Sequence, residues 1–213
     1  MSDNGKKVLL DLMKNQVDGF MNNYDFSRRG GSLNYSRKIN TTKQTIEMVF
    51  FSHPAYQPGA IMHIYPWMSV YFPEVNEMAK KMVNSIDLLA GLDKYTIRQP
   101  IQLAAKSEPR WMLMDKRDCN YLAEQICVFL ERNTIPLLNS LTEISDFIRI
   151  FEKKDERTVF GDAQYVFVIS AYVLQGNYEK AMMILEHRFG KKGLRRQYGS
   201  IFSYLENELR KKL

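Results

Sequence analysis

TIEMVFFSHPAYQPGAIMHIYPWMSVYF, residues 45–72, is the stretch that decides the fold. Two β-branched and aromatic runs flank a turn-rich link, His53-Pro54 followed by Gln57-Pro58-Gly59, and that composition favours strands joined by a loop. The first run, Gln44–Ser52, alternates: Ile46, Met48 and Phe50 share one face, Thr45, Glu47, Val49 and Phe51 the other. Both faces turn apolar toward Phe51, which predicts an inner strand or one covered on both sides. The second run, Ala60–Phe72, contains Pro66. Proline donates no ladder hydrogen bond, so a break, bulge or edge is expected there. Tyr65 and Trp67 would then stand at an exposed sheet edge, and they are the first candidates for a partner-binding patch. Core packing is the alternative for this Met- and aromatic-rich segment.

Working outward, residues 5–21 read as an amphipathic helix, with Leu9, Leu12, Met13, Val17 and Phe20 spaced by three and four. Gly30-Gly31 marks a turn between two short strand-like runs, the second at 33–39. Pro73 opens a helix whose stripe runs from Val75 through Ile86 to Leu89, stopping at Gly91. Tyr95–Leu103 and Arg110–Met114 are further strand candidates. Helices follow at about 118–132, 134–154, 163–174, 178–189 and 194–213. The pattern is α+β: an N-terminal helix, a mostly antiparallel sheet with a helix packed on it, then a helical C-terminal half. Residues 1–116 form the sheet domain and 117–213 the helical region in this reading.

The chain has 213 residues, 45% hydrophobic and 25% charged, as in ordinary globular proteins. No apolar run reaches the roughly 18 residues that span a bilayer, and no signal-peptide pattern opens the chain. The expectation is a cytoplasmic protein without membrane contact. Cys119 and Cys127 are eight apart on one expected helix, about 12 Å along its axis, too far for a disulfide. His53, His63 and His187 lack metal-ligand spacing, so surface or satisfied structural histidines are expected. No nucleophile elbow, phosphate loop or cofactor motif is present. Carboxylates such as Asp115, Asp118, Asp155 and Asp162 are scattered, several at helix starts where capping accounts for them.

Charge is asymmetric. From Arg188 onward eight basic residues face only Glu206 and Glu208, and this segment carries the whole net charge of +6. Lys191, Lys192, Arg195 and Arg196 surround two glycines at an expected helix start, which suits an anion. Three readings stand: a solvated helix end, a surface for an acidic protein, or a nucleic-acid contact. Lys211 and Lys212 also suit the C-terminal end of a helix dipole.

Two resemblances add to this. The opening helix, YDFSRRGGSLNYSR, and the IEMVFF and IYPWMSVYF strands before a PEV helix resemble a bacterial group of uncharacterised α+β domains. Its hairpin pattern is matched by Tyr24, Phe26, Arg28, Arg29, Tyr35 and Arg37, with Asp25 where the group has glycine. Part of that group lies near toxin and contact-inhibition loci, which implies immunity or another protein-binding role. AYVLQGNYEKAMMILE is similar to one tetratricopeptide-type helix pair through Ala171, Gly176, Tyr178 and Ala181. A solenoid needs about three units, so a helical hairpin is expected. The resulting expectation is a non-catalytic protein-binding protein that neutralises a cognate toxin, with an acidic or toxin protein as partner and no cofactor. An enzyme on a phosphate-bearing substrate, or nucleic-acid binding through the basic tail, are the alternatives.

Overall fold

The run from Gln44 to Ser52 is not one strand. Thr42–Glu47 forms β2 and Phe50–Ser52 forms β3, and the two belong to different sheets. A tight turn at Met48 and Val49 separates them, in which the Val49 N–H donates to Glu47 O at 3.1 Å. Beyond it Val49 O accepts from Tyr65 N at 2.7 Å. The second run breaks at the same level. Met62–Ile64 is β4 and Trp67–Tyr71 is β5, again in different sheets. Pro66 fits the break, because it needs no donor there, and its carbonyl accepts from Ile101 N at 3.1 Å.

The computed structural model describes residues 3–83, 94–105 and 109–211. The expected stripe residues Ile86 and Leu89, the stop at Gly91, and Lys212 lie outside the described residues. With β1 at Asn34–Ile39, β6 at Ile97–Pro100 and β7 at Trp111–Leu113, the sheets are ordered β1-β2-β5-β6 and β3-β4-β7. The β1–β2 hairpin is antiparallel, pairing Asn34 with Glu47 and Ile39 with Thr42. Its turn uses Asn40 at φ 52°, a left-handed position that asparagine tolerates. The strand-like run before Gly30 is reduced to one bridge, Ser27 with Ser36.

The helices are α1 (Asp3–Leu12), α2 (Asp18–Asn22), α3 (Pro73–Met82), α4 (Cys119–Phe129), α5 (Ile135–Asn139), α6 (Ile144–Glu152), α7 (Asp162–Leu174), α8 (Tyr178–Phe189), α9 (Lys192–Gln197) and α10 (Gly199–Arg210). The architecture is α+β, with an N-terminal helix, a mostly antiparallel sheet and a helical C-terminal half. π-helical turns at Met13–Val17 and Leu130–Thr134 join α1 to α2 and α4 to α5. The helix break expected at Thr134 therefore falls later, at 140–143. There Asp146 accepts from the N–H groups of Thr142 and Glu143 at 2.9 and 3.1 Å and caps α6. The last expected helix is split at Tyr198 into α9 and α10.

Packing divides the chain into two units, Met1–Val70 with Arg98–Ser140, and Tyr71–Ile97 with Leu141–Leu213. Residues 116 and 117, where the expected sheet domain meets the expected helical region, both lie in the first unit. That unit holds the β1–β2 hairpin against its helices through polar side chains. Gln44 donates to Leu138 O at 2.7 Å, and Arg37 reaches Gln44, Tyr24 O and Asn139 while lying 4.5 Å over the Phe26 ring. Arg28 forms a two-point contact with Asp18 at 2.7 and 2.9 Å. Gly5 packs so closely on β3 that a Cβ there would collide with the Ser52 side chain. In the second unit the nearly all-apolar α7 is buried along most of its length, and α3 and α8 pack on it.

Tyr35 gives this unit an alkaline limit. It is buried, and its hydroxyl donates to Asp18 Oδ1 at 2.6 Å. Burial, and then the adjacent Asp18 carboxylate, keep the phenol protonated far above the ordinary tyrosine range. The unfolded phenol ionises near pH ~10. Above that pH only the folded chain retains the proton, so stability is full below it and falls as pH rises, by up to about 1.4 kcal/mol per pH unit. Denaturant titrations at about pH 9 and about pH 10.5 should show a steeper loss for the wild type than for Tyr35→Phe. Equal losses would refute this.

Candidate functional site

β4 is the middle strand of its sheet and β5 an inner strand of the other, so Tyr65 and Trp67 do not stand at a sheet edge as expected. They occupy the passage between two inner strands. Both are half-buried and their rings meet edge-on at 6.2 Å. Trp67 is covered by Arg98, whose guanidinium lies 4.4 Å over the indole and reaches Glu47 at 3.0 Å. Tyr65 faces the other way along this aromatic row, edge-on to His63 at 5.7 Å.

His63 is the centre of the site. β4 places it between Phe51 on β3 and Met112 on β7. It lines a cavity of about 420 Å³ together with Tyr56, Tyr65, Gln102 and Arg110. The Tyr56 hydroxyl and His63 Nδ1 are 2.5 Å apart. Burial, and secondarily the Arg110 charge, lower the His63 pKa below the ordinary histidine value, so the ring is neutral at pH 7. With the Tyr56 hydroxyl donating, the ring proton sits on Nε2; with the reverse polarity Nε2 is an acceptor. In both cases Nε2 is buried without a hydrogen-bond partner among the described residues, and so are both amide atoms of Gln102. The expectation of a surface or satisfied histidine fails here.

Buried polar atoms are nearly always paired, and an unpaired one costs roughly 1–3 kcal/mol. Three in one cavity wall mark a place where an incoming group gains more than it would at an ordinary surface. The rim is largely apolar: Tyr56 is 60% exposed and Leu103 is also exposed. Arg110 is exposed and forms no ion pair among the described residues. A polar floor inside an apolar rim with one cation beside it suits a hydrogen-bonding, negatively charged partner group.

Lys191, Lys192, Arg195 and Arg196 belong to the second unit, at and within α9. Arg195 is committed elsewhere. It pairs with Glu186 at 2.5 Å and Glu206 at 3.4 Å, and lies 4.1 Å over the Phe202 ring. Arg188 pairs with Asp162 at 2.6 Å and Lys211 with Glu208 at 2.6 Å. Lys191, Lys192 and Arg196 face solvent. The basic segment is thus partly neutralised by acids from other helices, and its arginine pair does not converge on one anion.

The other residues singled out from sequence have structural surroundings. Arg28 and Tyr35 both contact Asp18, Arg37 covers Phe26, and Phe26 is fully buried. Cys119 and Cys127 are free and half-buried. Burial raises both thiol pKa values, Cys127 to about 11 with Glu131 adding to it, so neither is an activated nucleophile. Among the described residues no cluster of three His, Cys, Asp or Glu side chains is placed to hold a metal ion, and no helix is long and apolar enough to cross a membrane. Sequence reasoning missed Gln102 and Arg110 as partners of His63. No spacing signal links residues 56, 63, 102 and 110.

Against known proteins, no family model matches the chain, and neither a curated protein nor a solved structure matches it.

Proposed function

We propose that this is a non-catalytic cytoplasmic binding protein whose partner is an acidic protein, docked at the His63 cavity. The single observation that carries the reading is the cavity's anatomy: polar atoms of His63 and Gln102 in the wall that have no partner among the described residues, exposed Tyr56 and Leu103 on the rim, and Arg110 in no ion pair among those residues. Binding energy in protein interfaces concentrates in such spots, where an apolar ring excludes water from a polar anchor. An acidic side chain would take hydrogen bonds from the Gln102 amide and charge from Arg110. The resemblance of the N-terminal half to immunity-associated domains supplies the partner class, a cognate bacterial toxin.

Co-expression with the product of a neighbouring toxin gene tests this. A stoichiometric complex is expected, weakened about 10- to 30-fold by Arg110→Glu and by Leu103→Asp. Both residues are exposed, so the fold should survive the changes. Complex formation indifferent to both substitutions would rule out this surface. Absence of any complex, with protection against the toxin also absent, would rule out the immunity reading.

A further inference from the structure

The second unit contains a cavity of about 610 Å³, between the end of α6, the 153–161 connection and one face of α8. The connection is held in one shape by its own backbone. At the end of α6, Asp155 N donates to Ile150 O and Lys154 N to Phe151 O, both at 3.1 Å, with Lys154 at φ 51°. This is the left-handed stop that many helices use. The Asp155 carboxylate then accepts from the Arg157 backbone and guanidinium, and Thr158 N donates to Asp155 O at 3.0 Å. Thr158 is thereby fixed in the cavity wall. The rest of the interior is largely apolar. Phe151 meets Phe160 at 5.4 Å and Tyr165 at 5.5 Å, both nearly edge-on. The α8 face adds Met183 and Ile184. Three rings, a thioether and a branched aliphatic chain around a space of this size suit a small flat molecule.

One polar atom inside has no protein partner. Thr158 is 6% exposed, and its hydroxyl oxygen is buried with no hydrogen-bond partner among the described residues. Buried hydroxyls are nearly always paired, so a molecule entering with a donor or acceptor gains a hydrogen bond there. Charge, by contrast, selects neither sign. Of the carboxylates in the wall, Asp155 is paired with Arg157 at 2.7 Å. Glu152 and Glu156 are matched in number by Lys154 and Lys180. Glu152, Glu156 and Lys154 are exposed, where water screens them. One face of the Tyr165 ring already carries the Arg188 guanidinium at 4.7 Å, so a second cation at that ring would meet a like charge.

We propose that this cavity binds a small uncharged aromatic molecule carrying one hydroxyl or comparable hydrogen-bonding substituent. The ring system packs among Phe151, Phe160, Tyr165 and Met183, and the substituent pairs with the Thr158 hydroxyl. The site lies wholly in the second unit, and its test needs no partner protein.

The probe is 2-naphthol, titrated into the full-length protein near pH ~7 and followed by fluorescence and calorimetry. Naphthalene lacks the hydroxyl, while 2-naphthoate and 2-naphthylmethylammonium carry a charge of either sign in its place. Saturable one-site binding of 2-naphthol is expected. Naphthalene should bind about five-fold more weakly. Both ions should also bind at least about five-fold more weakly, because the apolar interior does not replace their hydration. Thr158→Val should bring 2-naphthol and naphthalene to within about two-fold of each other. Met183→Glu should weaken 2-naphthol at least about ten-fold. Met183 is 54% exposed, so that variant tests the site even if Thr158→Val folds poorly. Tyr121→Glu, at a 65% exposed position in the first unit, should change nothing. Absence of saturable 2-naphthol binding would overturn the proposal, as would tighter binding of either ion or binding unaffected by Met183→Glu.

Discussion

Asp18→Ala should destabilise the protein by about 3 kcal/mol, read as a loss of unfolding free energy in denaturant titration. Asp18 satisfies two groups at once, Arg28 ahead of the hairpin and Tyr35 on β1. Arg28 reaches both its oxygens, and the Tyr35 hydroxyl donates to Oδ1 at 2.6 Å. The exposures of the pair are unequal: the Arg28 side chain is 7% exposed and Asp18 31%. Removing the carboxylate leaves a mostly buried guanidinium without its counter-charge and a buried phenol without its acceptor. Breaking a fully buried pair costs roughly 3–5 kcal/mol. Solvent at Asp18 reduces that toward its lower end, and the lost tyrosine hydrogen bond adds about 1 kcal/mol. Asp18→Asn keeps an acceptor for Tyr35 but not the charge, so about half the loss is expected. A cost below about 1 kcal/mol for Asp18→Ala would mean that water replaces the carboxylate.

Phe147→Ala should cost about 3–5 kcal/mol. Phe147 is fully buried on α6, with its ring 5.8 Å from Phe72 at a tilt of 32° and stacked on Phe160 at 6.0 Å. The row continues through Phe151 and Tyr165 to Phe189 and Tyr198. Deleting the ring removes apolar burial and leaves a void that neighbours on three elements cannot fill by one rotamer change. Phe147→Leu fills most of that space and should cost less than about 1.5 kcal/mol. Hydrogen exchange at amides of α6 and α7 should quicken in the alanine variant, while amides of the β1–β2 hairpin report whether the first unit responds. A loss under about 1.5 kcal/mol for the alanine variant would show that the row collapses onto the void.

Residues 45–72 show how far a linear pattern carries. Alternation identified extended backbone at 44–52, β-branched and aromatic content a second run at 60–72, and Pro66 the interruption in it. Sheet membership was not legible. Alternation reports which side chains share a face, whereas a sheet is defined by the strand that supplies the next row of hydrogen bonds. Glu47 pairs with Asn34, and three residues later Phe50 pairs with Ile64. The apolarity on both sides of Met48–Phe51 is satisfied by the crossing itself, and Phe51 remains half exposed. Helix ends followed the same division. The start of α8 near 178 was legible, and Asn177 caps it by accepting from Lys180 N at 3.1 Å. The π-helical turn that carries the chain through Thr134 was not.

The basic tail and the histidine differ in the same way. The sequence by itself determined the α+β class, the segment that carries the net charge, and the helical hairpin at 163–189, because composition and residue spacing are local properties. Only the tertiary structure decided that Asp162, Glu186 and Glu206 neutralise two of the tail's arginines, and that residues 56, 63, 102 and 110 line one cavity. Those outcomes depend on contacts between residues far apart in the chain, and such contacts are chosen by the packing of whole elements.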